Sequence, residues 1–194
     1  MEFKDYQKYR WFYTSTGKLV IGGKNASQNE TLLRKVKSEN KDRLAMHTTE
    51  PGSPFTIILS DIKDITDEDT NECAIFTGAF SRAWRSKKKK VSIDIFNLSQ
   101  LHKSSLMKEG TWGVKGEIKR VLVELELVLT RQEGKLRAVP RPTVKSKKDI
   151  LLKIIPGKLD KAIIIPKLQV ALSDSINQEE LLNAIPSGGI SIKK

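Results

Sequence analysis

Within the first 140 residues only two stretches carry apolar residues at helical spacing. The first, "NASQNETLLRKVKS", predicts a helix over 25–38, with Asn25 as N-cap, Gln28 reaching back to it, and a buried stripe of Leu32, Leu33 and Val36. The second opens at Thr66, with Asp69 in the capping-box position. Its apolar face runs through Cys73, Phe76, Ala79, Phe80, Ala83 and Trp84, with Arg82 and Arg85 at its C-terminal end. The remaining apolar residues come in short β-type runs punctuated by glycine and proline.

These runs define the expected strands. "RWFYTSTGKLVIGG" reads as two strands joined through Thr16-Gly17; "RLAMH" and "FTIIL" flank the loop "TTEPGSP". Val91, Ile93 and Ile95 share one face of a strand after the lysine run. One long strand is expected to place Val121, Val123, Leu125, Leu127 and Leu129 on one face and Glu124 and Glu126 on the other, followed by a hairpin through Gly134. The pattern predicts an α+β fold, a mainly antiparallel sheet flanked by two helices. "PRPTVKSKKD" reads as a basic linker, so the expected organisation is a domain over 1–140, a linker over 141–149, and a small C-terminal β/α extension over 150–194. In that extension two strands are expected around Pro156-Gly157, then a short helix capped between Ser173 and Ser175.

Charge narrows the function. The net charge is +12 and the pI about 9.7. Residues 1–70 hold 11 basic and 11 acidic residues, whereas residues 71–194 hold 24 and 12, so the whole excess lies in the second part. A basic region beside a neutral one is the electrostatic footprint of a polyanion-binding protein, or simply of a soluble basic one. Six cations fall within nine residues, Arg82, Arg85, Lys87, Lys88, Lys89 and Lys90, a density suited to phosphate neutralisation. Lys115, Lys119 and Arg120, near Trp112, form a second candidate surface. The single cysteine, Cys73, excludes an internal disulfide and a thiolate metal cluster. No run of 18 apolar residues is present and "MEFKDYQKYRW" has no apolar leader core, so a cytoplasmic location is expected.

Three patterns invite a chemical reading. Gly22-Gly23 precedes a helix start and Lys24, which suits a phosphate, but no Gly-Lys-Ser/Thr and no G-x-G-x-x-G is present. The alternative is a turn that needs positive φ. His47, near Glu50 and Ser53, is the one constellation with nucleophilic possibilities, without a nucleophile elbow or an evident third partner. Glu124 and Glu126 on one strand face could serve acid–base work or Mg²⁺, or be a solvated face. No metal-ligand spacing is found around His47 or His102, and no cofactor motif.

Four blocks in this order resemble the NFACT-R family, the RNA-binding module of RqcH/NEMF-type NFACT proteins. "YRWFYTSTGKLVIGGKNASQNE" is similar to the family's aromatic strand, turn and glycine signature, which places Gly22, Gly23, Asn25, Ala26, Asn29 and Glu30 on the motif. "DRLAMHTTEPGS" does so for His47, Pro51, Gly52 and Ser53; "AIFTGAFSRAW" with "VSIDIF", and "LMKEGTWGVKGEIKR", complete the match to about residue 120. Pro54 stands where the family has a histidine, and Asp42 is displaced by one residue from the family's aspartate, so no role passes to either. Residues after about 142 resemble no named family. The other domains of NFACT proteins have no counterpart here, so a stand-alone module is expected. The resemblance implies a non-catalytic protein that contacts ribosomal RNA or tRNA in translation or ribosome-associated quality control. The expected contacts are Lys24, Arg82, Arg85, Lys87–Lys90, Lys115, Lys119 and Arg120. Competing readings are binding to DNA or any polyanion, an RNA-processing enzyme using His47, and a protein–protein adaptor acting through 150–194.

Overall fold

The computed structural model describes residues 3–172 and 176–193. Six strands form the central sheet: β1 (Arg10–Tyr13), β2 (Leu19–Gly22), β3 (Leu44–Thr48), β4 (Thr56–Ile58), β5 (Lys90–Asn97) and β8 (Lys119–Glu124), in the order β1-β2-β4-β3-β5-β8, every pair antiparallel. The short strands β6 (Leu101–His102) and β7 (Gly113–Val114) pair with each other. A second antiparallel sheet follows the order β10-β9-β11-β12, from β9 (Leu127–Gln132), β10 (Lys135–Pro140), β11 (Leu152–Leu159) and β12 (Ile190–Lys193).

The middle of the central sheet is buried on both faces, each strand sending successive residues to opposite sides, while edge strand β8 exposes Leu122. One face carries Trp11, Ile21, Ala45, Ile57 and Phe96 and packs against Leu32, Leu33 and Val36 of α1 (Ala26–Ser38). The other carries Phe12, Val20, Met46, Ile58, Ile93 and Ile95 and packs against Cys73, Ala74, Phe76 and Ala79 of α2 (Asp67–Ala79). The second sheet, α4 (Lys161–Ala171) and α5 (Gln178–Ala184) continue that same second core. Thus two helices flank an antiparallel sheet, as the periodicities predict.

Both helix starts follow from their sequences. Asn25 Oδ1 accepts the Gln28 N–H at 2.8 Å, and Thr66 with Asp69 forms the complete capping box. Gln28 reaches back one residue further than expected, its Oε1 accepting the Lys24 N–H at 3.0 Å. The second helix stops at Ala79 rather than running to Trp84. Ser81 starts the separate turn α3 (Arg82–Arg85), accepting from Ala83 N and donating to Gly78 O.

Three further expectations are corrected. The long strand over 121–129 is two strands, β8 and β9, in different sheets, and Leu125 turns the corner with its N–H donating to Lys89 O at 2.8 Å. Each half pairs with a different neighbour, which alternation alone does not reveal. Glu124 therefore pairs across β8–β5 with Lys90, while Glu126 meets Lys193, and they form no carboxylate pair. Residues 152–171 are one strand and one helix rather than two strands. β11 passes through Pro156-Gly157 with a register shift, and the β-branched run that follows forms α4, whose buried residues Ile164, Ile165 and Leu168 have helical spacing. Finally, 141–149 forms two packed 3-10 turns in which Thr143 and Val144 are buried and Thr143 Oγ1 donates to Glu72 Oε2 at 3.0 Å. β10 before it and β11 after it both pair with β9, so the segment connects strands of one sheet. The helix in 173–184 is α5, capped by Asn177. The cap expected between Ser173 and Ser175 lies outside the described residues.

Candidate nucleic-acid interface

The glycine signature is a packing unit. Neither Gly22 nor Gly23 has positive φ. What excludes a side chain is proximity: a Cβ on Gly23 would lie 2.2 Å from Asn29 Oδ1, and one on Gly22 would lie 2.8 Å from Thr56 Cγ2. The space goes to Asn29, a buried residue of α1, whose Oδ1 accepts the Phe55 N–H at 3.2 Å. The signature thereby ties α1 to the loop that enters β4. The turn's Lys24 and Gln28 N–H groups are used internally, so the expectation of a positive-φ turn is replaced by one of close approach.

Glu30, next in the signature, gathers a second set of elements. Its carboxylate accepts from Lys103 Nζ at 2.8 Å, Trp112 Nε1 at 3.1 Å and the Gly110 N–H at 3.1 Å, and pairs with Arg34 at 2.8 Å. Burial by itself would raise its pKa, but the bonds from Lys103, Gly110 and Trp112 outweigh it and hold the group below the usual carboxylate range. Trp112 is consequently half-buried and held by its indole N–H, with Lys103 and Arg34 near its ring.

The 51–53 loop does the same for the arginines. Gly52 has φ +112°, and a Cβ there would lie 2.4 Å from Arg82 Cδ. Its carbonyl accepts the Arg82 N–H at 2.8 Å. Ser53 Oγ accepts the Thr48 N–H at 2.9 Å, and Thr48 Oγ1 donates to Glu50 O. His47 Nδ1 lies 2.7 Å from Thr48 O, which makes Nδ1 the protonated nitrogen and leaves Nε2 as an acceptor. Burial lowers the His47 pKa, and the Thr48 carbonyl and Asp94 oppose this only in part. The ring packs on Phe55 at 4.5 Å. Among the described residues no hydrogen bond joins His47 to Ser53 or Glu50; the Glu50 carboxylate pairs with Lys88 instead. The histidine constellation is not assembled as a nucleophile and base.

These elements enclose one cleft of about 670 Å³. The signature turn (Gly23, Lys24, Asn25, Asn29), the 47–53 loop, Arg82 and Arg85, and Trp112 all line it. So do Arg10, Phe80 and Ser187, which the sequence patterns did not single out. Arg10 sits with its guanidinium 4.6 Å from the Phe80 ring centroid, in the place that a strand-start arginine would ordinarily spend in solvent. The expected cations divide. Lys24, Arg82 and Arg85 face the cleft, with no carboxylate partner among the described residues. Lys87, Lys88, Lys89 and Lys90 lie beyond it, and of these Lys88 and Lys90 are paired with Glu50 and Glu124. Arg120 is held by Asp94 through two contacts of 2.7 and 3.2 Å. Lys115 and Lys119 are exposed and do not line the cleft. Among the described residues no three His, Cys, Asp or Glu side chains gather as a metal site, and no helix is long and apolar enough to cross a membrane.

The cleft thus has cationic walls, from Lys24, Arg10, Arg82 and Arg85, and aromatic faces, from Phe55, Phe80 and Trp112. The profile of the NFACT protein RNA binding domain matches residues 8–116, and the chain belongs to that family. Over an alignment of 205 residues it is 29% identical to the archaeal Rqc2 homolog aRqcH of Methanocaldococcus jannaschii, covering 100% of this chain and 30% of that protein. That alignment includes the segment after residue 142, which has a counterpart after all. The chain thus spans less than a third of that relative's length. In structure it is similar to the C-terminal part of the fibronectin/fibrinogen-binding protein from Streptococcus suis, with a TM-score of 0.53 and 24% identity over 60% of this chain and 45% of that one, a likeness of fold.

Proposed function

We propose that this chain is a non-catalytic RNA-binding module whose cleft, walled by Lys24, Arg82 and Arg85, receives the RNA. The exposed cations Lys87, Lys89, Lys115 and Lys119 extend the path of the strand outside it. The observation that carries the reading is the convergence of the family signature and the cation cluster on one cleft: Gly52 of the 51–53 loop seats Arg82, and the Gly23 turn brings Lys24 to the same cleft. The neighbouring Lys88, Lys90 and Arg120, each partnered by a carboxylate, give up those partners on contact with phosphate and add less. Kinship with an archaeal Rqc2 homolog supports a place in ribosome-associated quality control, with ribosomal RNA or tRNA as the target.

The test is the affinity of the full chain for a single-stranded RNA as a function of salt, compared with Arg82→Ala/Arg85→Ala. Losing two phosphate contacts flattens the log–log salt dependence by about 1.4 units. An unchanged slope moves the RNA away from the cleft, and no binding by the wild type sinks the reading. Preference for RNA over DNA of the same sequence separates it from general polyanion binding.

A further inference from the structure

Arg10 and Lys24 line the cleft, Arg137 packs on Trp11, the residue next to Arg10, and none of them has a carboxylate partner among the described residues. Arg10, at the start of β1, has its guanidinium carbon 4.6 Å from the Phe80 ring centroid, and no hydrogen bond to its guanidinium is made among the described residues. Arg137, on β10, is 8% exposed; its guanidinium lies 4.5 Å from the Trp11 ring centroid and its Nε donates to Trp11 O at 3.1 Å. Lys24 stands on the cleft wall and Lys161 opens α4. None of the four forms an ion pair among the described residues, although nine such pairs are found elsewhere among them. They are close enough to disfavour one another. Burial lowers the pKa of Arg10 to about 10, and burial with the Arg10 charge lowers Arg137 to about 10; Lys24 and Lys161 are also lowered, by burial and then by Arg10.

An uncompensated, partly buried cluster of like charge is unfavourable unless an anion completes it. The Arg10 guanidinium, over the Phe80 ring and without a hydrogen bond among the described residues, keeps its N–H groups for such a ligand, and a guanidinium favours forked contacts to phosphate oxygens. We propose that Arg10 and Lys24, backed by Arg137 and Lys161, form an anion site in the cleft that takes one phosphate group of the bound RNA. This rests on the RNA reading above and gives it an anchor distinct from the lysine rim. The site draws on the central sheet, the second sheet and α4, and Arg137 and Lys161 lie outside the segment that the family profile matches. It therefore exists only when both sheets are packed together. The phosphate is either a terminal monoester or an internal phosphodiester, and the two differ in charge.

The test has two stages, both on the full chain. Inorganic phosphate is titrated at constant ionic strength, followed by phosphorus NMR line width and by the unfolding midpoint, for the wild type, Arg10→Gln, Lys24→Ala and the rim variant Lys89→Ala. The wild type and Lys89→Ala respond; Lys24→Ala binds phosphate about tenfold more weakly, the loss expected of one charge-assisted contact. Arg10→Gln loses most of the response, and if removing its contact with Phe80 unfolds the protein, Lys24→Ala carries the test alone. The second stage compares one RNA oligonucleotide with a 5′-phosphate and with a 5′-hydroxyl. Tighter binding of the phosphorylated strand that vanishes in Lys24→Ala assigns the terminal monoester. Equal binding that weakens for both strands in Lys24→Ala assigns an internal phosphodiester. A wild type that ignores phosphate, with Lys24→Ala and Arg10→Gln binding both strands normally, overturns the site and leaves the RNA reading standing on the rim. A phosphate response without any RNA binding overturns the RNA reading, and with it the assignment of the phosphate to RNA.

Discussion

Gly23 and Asn29 occupy space that only one side chain can fill. A Cβ on Gly23 would lie 2.2 Å from Asn29 Oδ1, the same atom that accepts the Phe55 N–H. Gly23→Ala therefore forces Asn29 out of place and leaves a buried N–H unpaired. Thermal or urea unfolding should show a loss of about 1–3 kcal/mol. Asn29→Ala relieves the overlap but loses the same bond, so the double variant should be less destabilised than the two single losses added together. Strict additivity would mean that the two residues do not share this contact.

Glu30 links stability to pH. Its carboxyl titrates below the ordinary range because Lys103, Gly110 and Trp112 donate to the charged form. A depressed folded-state pKa contributes stability that is present above the unfolded value of about 4.3 and is lost as pH falls through the folded value. Wild-type stability should decline across that acid window more steeply than that of Glu30→Gln, which should be less stable at neutral pH and keep only the acid dependence of other depressed carboxylates such as Asp69 and Asp94. Equal acid slopes would remove Glu30 from this role. Trp112 fluorescence, whose indole N–H is held by this carboxylate at 3.1 Å, reports the same transition locally.

Asp94 restrains the basic surface. It holds Arg120 at 2.7 Å, lines the cleft, and raises the His47 pKa through its charge. Asp94→Asn frees Arg120 and removes a negative charge from the phosphate path. RNA affinity should rise and the log–log salt dependence should steepen by about 0.7 for the one cation released. The His47 resonances should titrate at lower pH than in the wild type. An affinity that falls would mean that Asp94 positions a group the RNA needs.

What could be read in advance follows from the range of each interaction. The two helix starts, the four central strands before residue 60 and the family signature are local patterns, and Asn25, Thr66, Trp11 and Ile21 stand where their neighbours along the chain require. The break at Leu125 was not legible, because alternation continues through it while the pairing partner changes from β5 to β11. Nor was α4, where three successive isoleucines at 163–165 have strand propensity but only Ile164 and Ile165 are buried, as a helix on the second core requires. At the cleft, the lysine run was conspicuous in sequence yet lies outside, with Lys88 and Lys90 paired locally. Arg10 and Arg137, far apart along the chain and each unremarkable in its own segment, come near each other only because β10 of the second sheet packs Arg137 on Trp11 of β1.

The packing of the last residues onto α3 gives the final prediction. Trp84 is fully buried, and its Nε1 donates to Gly189 O at 3.1 Å, 105 positions along the chain. Ser187, three residues before β12, lines the cleft beside Arg85. Trp84→Phe keeps most of the apolar contact but leaves a carbonyl without its donor, which should destabilise by about 1–3 kcal/mol. If the C-terminal segment completes the cleft, the loss extends to function: a chain ending at residue 149 leaves the β9 edge at Leu127 and Leu129 without its β11 partner and removes Ser187 from the cleft. Such a truncation should lose cooperative unfolding and RNA binding together. A truncated chain that unfolds in one transition and binds RNA normally would show instead that residues 150–194 fold and act independently, and would favour an adaptor role for them.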